Sequence, residues 1–170
     1  DLLRSVSFMT MASFHVTVSD SVFPNLDPAR QVLATIGAEL RMADTPTPEG
    51  IVAAAASSDA LLVTYAKIMA DMIRNMPKCR VISRFGIGVD NVDIDAATAS
   101  SIVVTKVPDY CIDEVSDHAL ALMMALARKI PSSSAQVHGG RWDMRATVPM
   151  HRLRGNTLGL VGFGRIPQLM

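Results

Sequence analysis

The chain has 170 residues and a mass of 18.3 kDa, with 49% hydrophobic and 19% charged residues. That size suits one domain, or one domain and part of a second, with a core that needs no covalent staples. Lysine plus arginine and aspartate plus glutamate each total 16, and aromatics make up 5%. Such a chain offers neither a basic field for a phosphate backbone nor a stacking surface for bases, so nucleic acid is not expected as a partner.

Residues 1–13 read as a tail without a signal-peptide pattern. The longest uncharged apolar stretch, 119–127, falls short of the ~18 residues a membrane span requires. Cys79 and Cys111 lack metal-ligand spacing and read as reduced thiols, so a cytoplasmic protein without a metal site is expected.

From Phe14 the chain alternates β-rich runs with helical patterns. Strands are expected at 14–19, 39–42, 60–65, 80–84 and 102–106. Between them, Asp27-Pro28 and Thr47-Pro48 signal helix starts. A helix over 68–76 ends at Pro77, and Asp93 caps a short helix through Ala99. Ala60 to Tyr65 is a continuous apolar run, as in a parallel sheet covered on both faces. The pattern specifies an α/β fold: a flavodoxin-like, doubly wound parallel sheet over 14–107 with strand order 2-1-3-4-5.

A second region follows over 108–170. Asp113, Glu114 and Asp117 open a helix that runs to Ile130, where Pro131 stops it and a polar loop leads to Gly155. The helix is apolar on two sides and needs cover on both. Thr157 to Val161 reads as a buried strand running into Gly162-Phe-Gly164-Arg165-Ile166-Pro167. A strand followed by glycines and a helix is the setting of a dinucleotide phosphate loop, in which the glycines allow a tight turn and close approach to a pyrophosphate. Pro167 stands where the third glycine would be. At the end of the fourth strand, Gly86-Ile87-Gly88 lets successive amides converge on an anion.

Five blocks carry a family resemblance: RFGIGVDNVDIDAAT (84–98), VPDY (107–110), DEVSDHALALMMALAR (113–128), GGRW (139–142) and LRGNTLGLVGFGRI (153–166). In these the chain resembles the D-isomer-specific 2-hydroxyacid dehydrogenases, which include phosphoglycerate dehydrogenase and the C-terminal-binding-protein group. The resemblance implies an oxidoreductase that moves a hydride between nicotinamide and a small 2-hydroxy or 2-oxo acid. NAD is the expected cofactor, and NADP stays open. Gly86, Ile87 and Gly88 match the loop that holds the substrate carboxylate, and Tyr65 and Ala66 match the strand end lining the substrate pocket. Tyr65 replaces the commoner small or polar residue. Ile87, Val115, Gly162, Gly164, Arg165 and Ile166 match cofactor contacts.

On the same resemblance, 14–107 is a substrate domain. Residues 108–170 hold an interdomain helix, a loop that clasps a second subunit in a homodimer, and the start of a Rossmann domain. The family's catalytic arginine, glutamate and histidine match nothing up to Met170, so this chain is expected to be an N-terminal fragment and inactive by itself. The alternatives are a dinucleotide-regulated, corepressor-like binding protein and a non-catalytic fragment. His15, His118, His138 and His151 read as structural. Asp20, Asp59 and Lys67 hint at a phospho-acceptor receiver, but the acidic pair such a domain needs is reduced to Asp20.

Overall fold

The computed structural model describes residues 14–170, so the expected tail over 1–13 lies outside the described residues. The chain divides into two compact units, the first ending at Tyr110 and the second running Cys111–Met170.

In the first unit the elements are β1 (Phe14–Val18), α1 (Asp27–Ala34), β2 (Ala38–Met42), α2 (Pro48–Ala55), β3 (Ala60–Val63), α3 (Ala70–Arg74), β4 (Val81–Arg84), α4 (Ile94–Ala99) and β5 (Val103–Lys106). The strands form one parallel sheet in the order β2-β1-β3-β4-β5, as the sequence pattern predicts. Alternation along β3 supplies both faces of the core. Leu61 and Val63 are fully buried with Ile51, Ile73, Met76 and Ile82 under α2 and α3. On the opposite face, Ala60 and Leu62 lie with Val16, Val18 and Leu40 beneath Ala29 and Leu33 of α1. Thr17 faces the first of these cores, where its hydroxyl lies 2.6 Å from that of Ser58. Each hydroxyl thereby satisfies the other, and burial leaves no polar orphan there.

Local chemistry sets the element ends. Thr47 accepts a hydrogen bond from the Gly50 amide at 3.2 Å and Pro48 opens α2. Asp93 accepts from the Ala96 amide at 2.9 Å to cap α4. Gly37, with φ of +70°, turns the chain out of α1.

Three helix boundaries differ from the sequence reading. Asp27 is the first residue of α1 rather than its cap, and its amide is held by the Asn25 side chain at 3.1 Å. Helix α3 is shorter than 68–76 because Ile68 is committed elsewhere. Its amide donates to the Asn91 carbonyl at 2.8 Å and its carbonyl accepts from the Asp93 amide at 2.9 Å.

In the second unit, α5 (Ile112–Ala127) stops before Ile130. Lys129 takes a left-handed φ of +53°, and a further helix, α6 (Ile130–His138), follows. Pro131 is therefore in the first turn of a new helix, where a missing amide proton costs nothing, and does not end the old one.

The expected strand over 157–161 is not formed. Those residues are exposed and unpaired in any ladder, with Val161 fully open to solvent. An apolar run becomes a strand only when a neighbour accepts its amide ladder, and no strand among the described residues of this unit offers one.

Candidate functional site

Beyond Arg84, at the carboxyl end of β4, the chain turns through Phe85-Gly86-Ile87-Gly88. Ligands of open α/β sheets bind at this end. The Phe85 amide donates to the Val63 carbonyl at 2.8 Å, and the Gly86 carbonyl accepts from the Val107 amide at 3.0 Å. The turn is thus fastened to both neighbouring strands.

The Gly86 amide donates to the Arg84 carbonyl at 2.8 Å, so it is not available to a ligand. The Ile87 and Gly88 amides have no partner among the described residues. The expected cradle of three amides is therefore a cradle of two. Against it lies the Arg84 guanidinium, which occupies the place a Cβ on Gly86 would take; only glycine permits that approach. The Arg84 Nε is buried without a hydrogen bond. The guanidinium Nη1 reaches the Phe85 carbonyl at 3.5 Å. The turn thus offers a small anion two amides without a partner and the nearby guanidinium, with the Asp90 carboxylate beside Gly88 opposing them.

Tyr65 and Ala66 follow β3, the next strand of the sheet. The Tyr65 side chain is 66% exposed and its amide donates to Asp20 Oδ2 at 2.6 Å. Ala66 is half-buried, and its carbonyl accepts from Asn91 Nδ2 at 2.9 Å. Burial acts to raise the Asp20 pKa, but hydrogen bonds from the Ser19 hydroxyl and the Tyr65, Thr64 and Ala66 amides outweigh it and hold the carboxyl below its ordinary value.

A depressed folded-state pKa stabilises the fold fully above the unfolded value of about 3.9 and loses that contribution as pH falls through the folded value. The melting temperature of the wild type is therefore expected to exceed that of Asp20→Asn at pH 6, with the gap closing below about pH 4. Thermal melts of both proteins across pH 2.5–7 check this, and a gap that does not change with pH contradicts it.

The expected cofactor residues lie in the second unit. Val115 is on α5 and 42% exposed. Gly162 has φ of +92°, the left-handed value a tight turn needs, and a Cβ at Gly164 would meet nothing within 4 Å. Arg165 is exposed and Ile166 half-buried. Both glycines lie in open space, with nothing within 4 Å of where a Cβ would stand. In place of the expected helix, however, there is a single 3-10 turn, Pro167–Leu169. The amides of a full helix N-terminus are not assembled there.

Of the histidines, His15 Nδ1 lies 3.4 Å from Glu39 and is buried without a hydrogen bond, and His138 Nδ1 lies 2.9 Å from the Ser134 carbonyl. Among the described residues no cluster of His, Cys, Asp or Glu suits a metal ion, and no helix is long and apolar enough to cross a membrane. Sequence reasoning assigned no site role to Arg84, Asp20 or Asn91. Arg84 heads the RFGIG block and was within reach as a signal; the other two act through contacts 25 to 45 residues away along the chain.

Residues 16–159 match the family described as D-isomer specific 2-hydroxyacid dehydrogenase, catalytic domain. The chain belongs to this family. It is 36% identical over 158 residues to D-3-phosphoglycerate dehydrogenase of Mycobacterium bovis, covering 91% of this chain and 29% of that enzyme. To glyoxylate reductase of Thermococcus litoralis it is 38% identical over 120 residues, covering 66% of this chain and 36% of the other.

Solved structures share the fold. A Thermus thermophilus protein superposes with a TM-score of 0.80 at 28% identity, covering 92% of this chain and 51% of that one. The NAD+-bound 3-phosphoglycerate dehydrogenase of Entamoeba histolytica superposes with a TM-score of 0.72 at 25% identity, covering 92% of this chain and 49% of that one. The chain thus spans about half, or less, of the length of each of these relatives.

Proposed function

We propose that this chain is the acid-binding portion of an NAD(P)-dependent dehydrogenase acting on a small 2-hydroxy or 2-oxo acid. The observation that carries the reading is the pair of amides without a partner, Ile87 and Gly88, on the turn at the carboxyl end of β4 whose Gly86 packs against Arg84. The amides hold the substrate carboxylate, Arg84 supplies the field that favours it, and Tyr65 and Ala66 border the rest of the acid. Residues 14–107 form the substrate domain. Residues 108–170 contribute the interdomain helix, the clasp of a homodimer and the opening of the nucleotide domain. In that second region Trp142 and Met144 are 86% and 78% exposed, apolar surface of the kind a partner subunit covers.

Gly162, Gly164, Arg165 and Ile166 hold the dinucleotide pyrophosphate, with Ile87 and Val115 nearer the nicotinamide. Hydride transfer is chemistry the cofactor supplies when bound, while this chain's residues bind and orient the acid.

Assaying NADH oxidation against a panel of 2-oxo acids tests the reading. Turnover is expected from the intact protein and none from the 170-residue chain alone, since amides and a guanidinium orient an acid but pass no proton. Absence of turnover by the intact protein with every acid, or turnover by the 170-residue chain, contradicts it.

A further inference from the structure

The loop after β3 is gripped from both sides. On its amide side stands Asp20, two residues past β1. Its Oδ1 accepts from the Thr64 amide at 3.0 Å and its Oδ2 from the Tyr65 amide at 2.6 Å. The Asp20 carbonyl accepts from the Thr64 hydroxyl at 3.0 Å, and the Ser19 hydroxyl steadies Oδ1 at 2.6 Å. On the carbonyl side stands Asn91, whose Nδ2 donates to the Ala66 carbonyl at 2.9 Å and reaches the Thr64 carbonyl at 3.5 Å. Because β3 lies between β1 and β4 in the sheet, the two side chains arrive from opposite neighbours.

Two features go beyond what a loop needs merely to close. A carboxylate fills the amide nest of 64–66, so these amides are unavailable to a substrate anion, and the Ile87–Gly88 pair keeps that task. Asn91 also belongs to the same β4–α4 connection that carries Ile87 and Gly88. Through Asn91, and through the Ile68–Val92 bridge beside it, the Tyr65 loop and the cradle are tied into one body.

We propose that Asp20 and Asn91 are positioning residues: acting through residues 64–66, they hold Tyr65 and Ala66 at a fixed distance from the carboxylate cradle and so set the fit of the acid. The proposal rests on the reading of Ile87 and Gly88 as that cradle. Neither side chain touches the acid. Fixed geometry matters because binding energy is lost when a contacting loop must be ordered at the moment of association.

The experiment uses the full 170-residue chain, sodium pyruvate as the probe, calorimetric titration for affinity, and residue-resolved amide exchange. Asp20→Ala and Asn91→Ala are each expected to weaken pyruvate binding about tenfold, as loss of a charge-assisted or side-chain hydrogen bond in a shared network implies. Exchange is expected to accelerate at Tyr65 and Ala66 while protection in β1 and β4 stays intact. Asp20→Asn, which keeps one acceptor oxygen, is expected to fall between wild type and Asp20→Ala.

Unchanged affinity in both alanine variants overturns the proposal, and so does weakening that comes only with uniform loss of protection across the sheet. If one variant fails to fold, Asp20→Asn and the other alanine variant decide. If the wild type itself shows no saturable binding of pyruvate, the cradle reading fails and takes this proposal with it; wild-type binding with unaltered variants removes the proposal alone.

Discussion

Gly88→Val is expected to weaken binding of a 2-oxo acid by about 10- to 100-fold while leaving the melting temperature unchanged. Gly88 is exposed and does not have a positive φ, so a side chain brings no backbone strain. A Cβ there would meet only the Asp90 carboxylate, at 3.4 Å and 3.6 Å, which is ordinary contact. The backbone and the Cβ position are therefore compatible with a side chain, and the exposed surroundings leave room for valine's methyls to turn to solvent. The ligand does not: the branched side chain stands beside the Gly88 amide and crowds the space the carboxylate must enter. Losing one hydrogen bond to a charged group costs about 1.5–3 kcal/mol, which is the stated range of affinity. Dinucleotide affinity of the intact protein is expected to fall less. Calorimetric titration with pyruvate and a thermal melt of the variant check both halves. Unchanged affinity, or a collapsed fold, contradicts the assignment.

Leu61→Ala is expected to cost the first unit about 2–5 kcal/mol, the range for deleting a buried leucine and leaving a cavity. Leu61 is fully buried in β3, against Ile51, Ile82 and their neighbours. The loss is large beside a total stability of about 5–15 kcal/mol. Its neighbour Leu62 gives the control. Leu62 points to the α1 face, where it lines a cavity of about 690 Å³ with Phe23, Leu26, Leu33 and Phe85, and it is only half-buried. Leu62→Ala is therefore expected to cost distinctly less. Urea unfolding of the two variants measures the contrast, and equal destabilisation would mean that the two faces of the sheet are not packed as described.

The sheet was legible because parallel strands buried on both faces leave continuous apolar runs between helix signals. Ala60 to Val63 is where that reading places it. What escaped depends on groups that sequence neighbours do not reveal. Pro131 marks the end of one helix or the start of another equally well, and the left-handed Lys129 decides for the second. The run 157–161 has the composition of a strand but no ladder partner. In the cradle, Gly86 and Gly88 read alike in sequence, but the Gly86 amide is spent on the Arg84 carbonyl. Asp20 drew notice only as half of an acidic pair. Its work on the Thr64 and Tyr65 amides spans 44 and 45 residues. A single-sequence pattern does not encode such distances.

The most direct test of the carboxylate cradle is a residue-resolved NMR titration of the 170-residue chain with sodium pyruvate. The account predicts that the Ile87 and Gly88 amides shift together and saturably, while the Gly86 amide, already bonded to the Arg84 carbonyl, responds less. Saturable shifts that leave Ile87 and Gly88 unmoved and appear elsewhere, or no saturable shift at all, would contradict it.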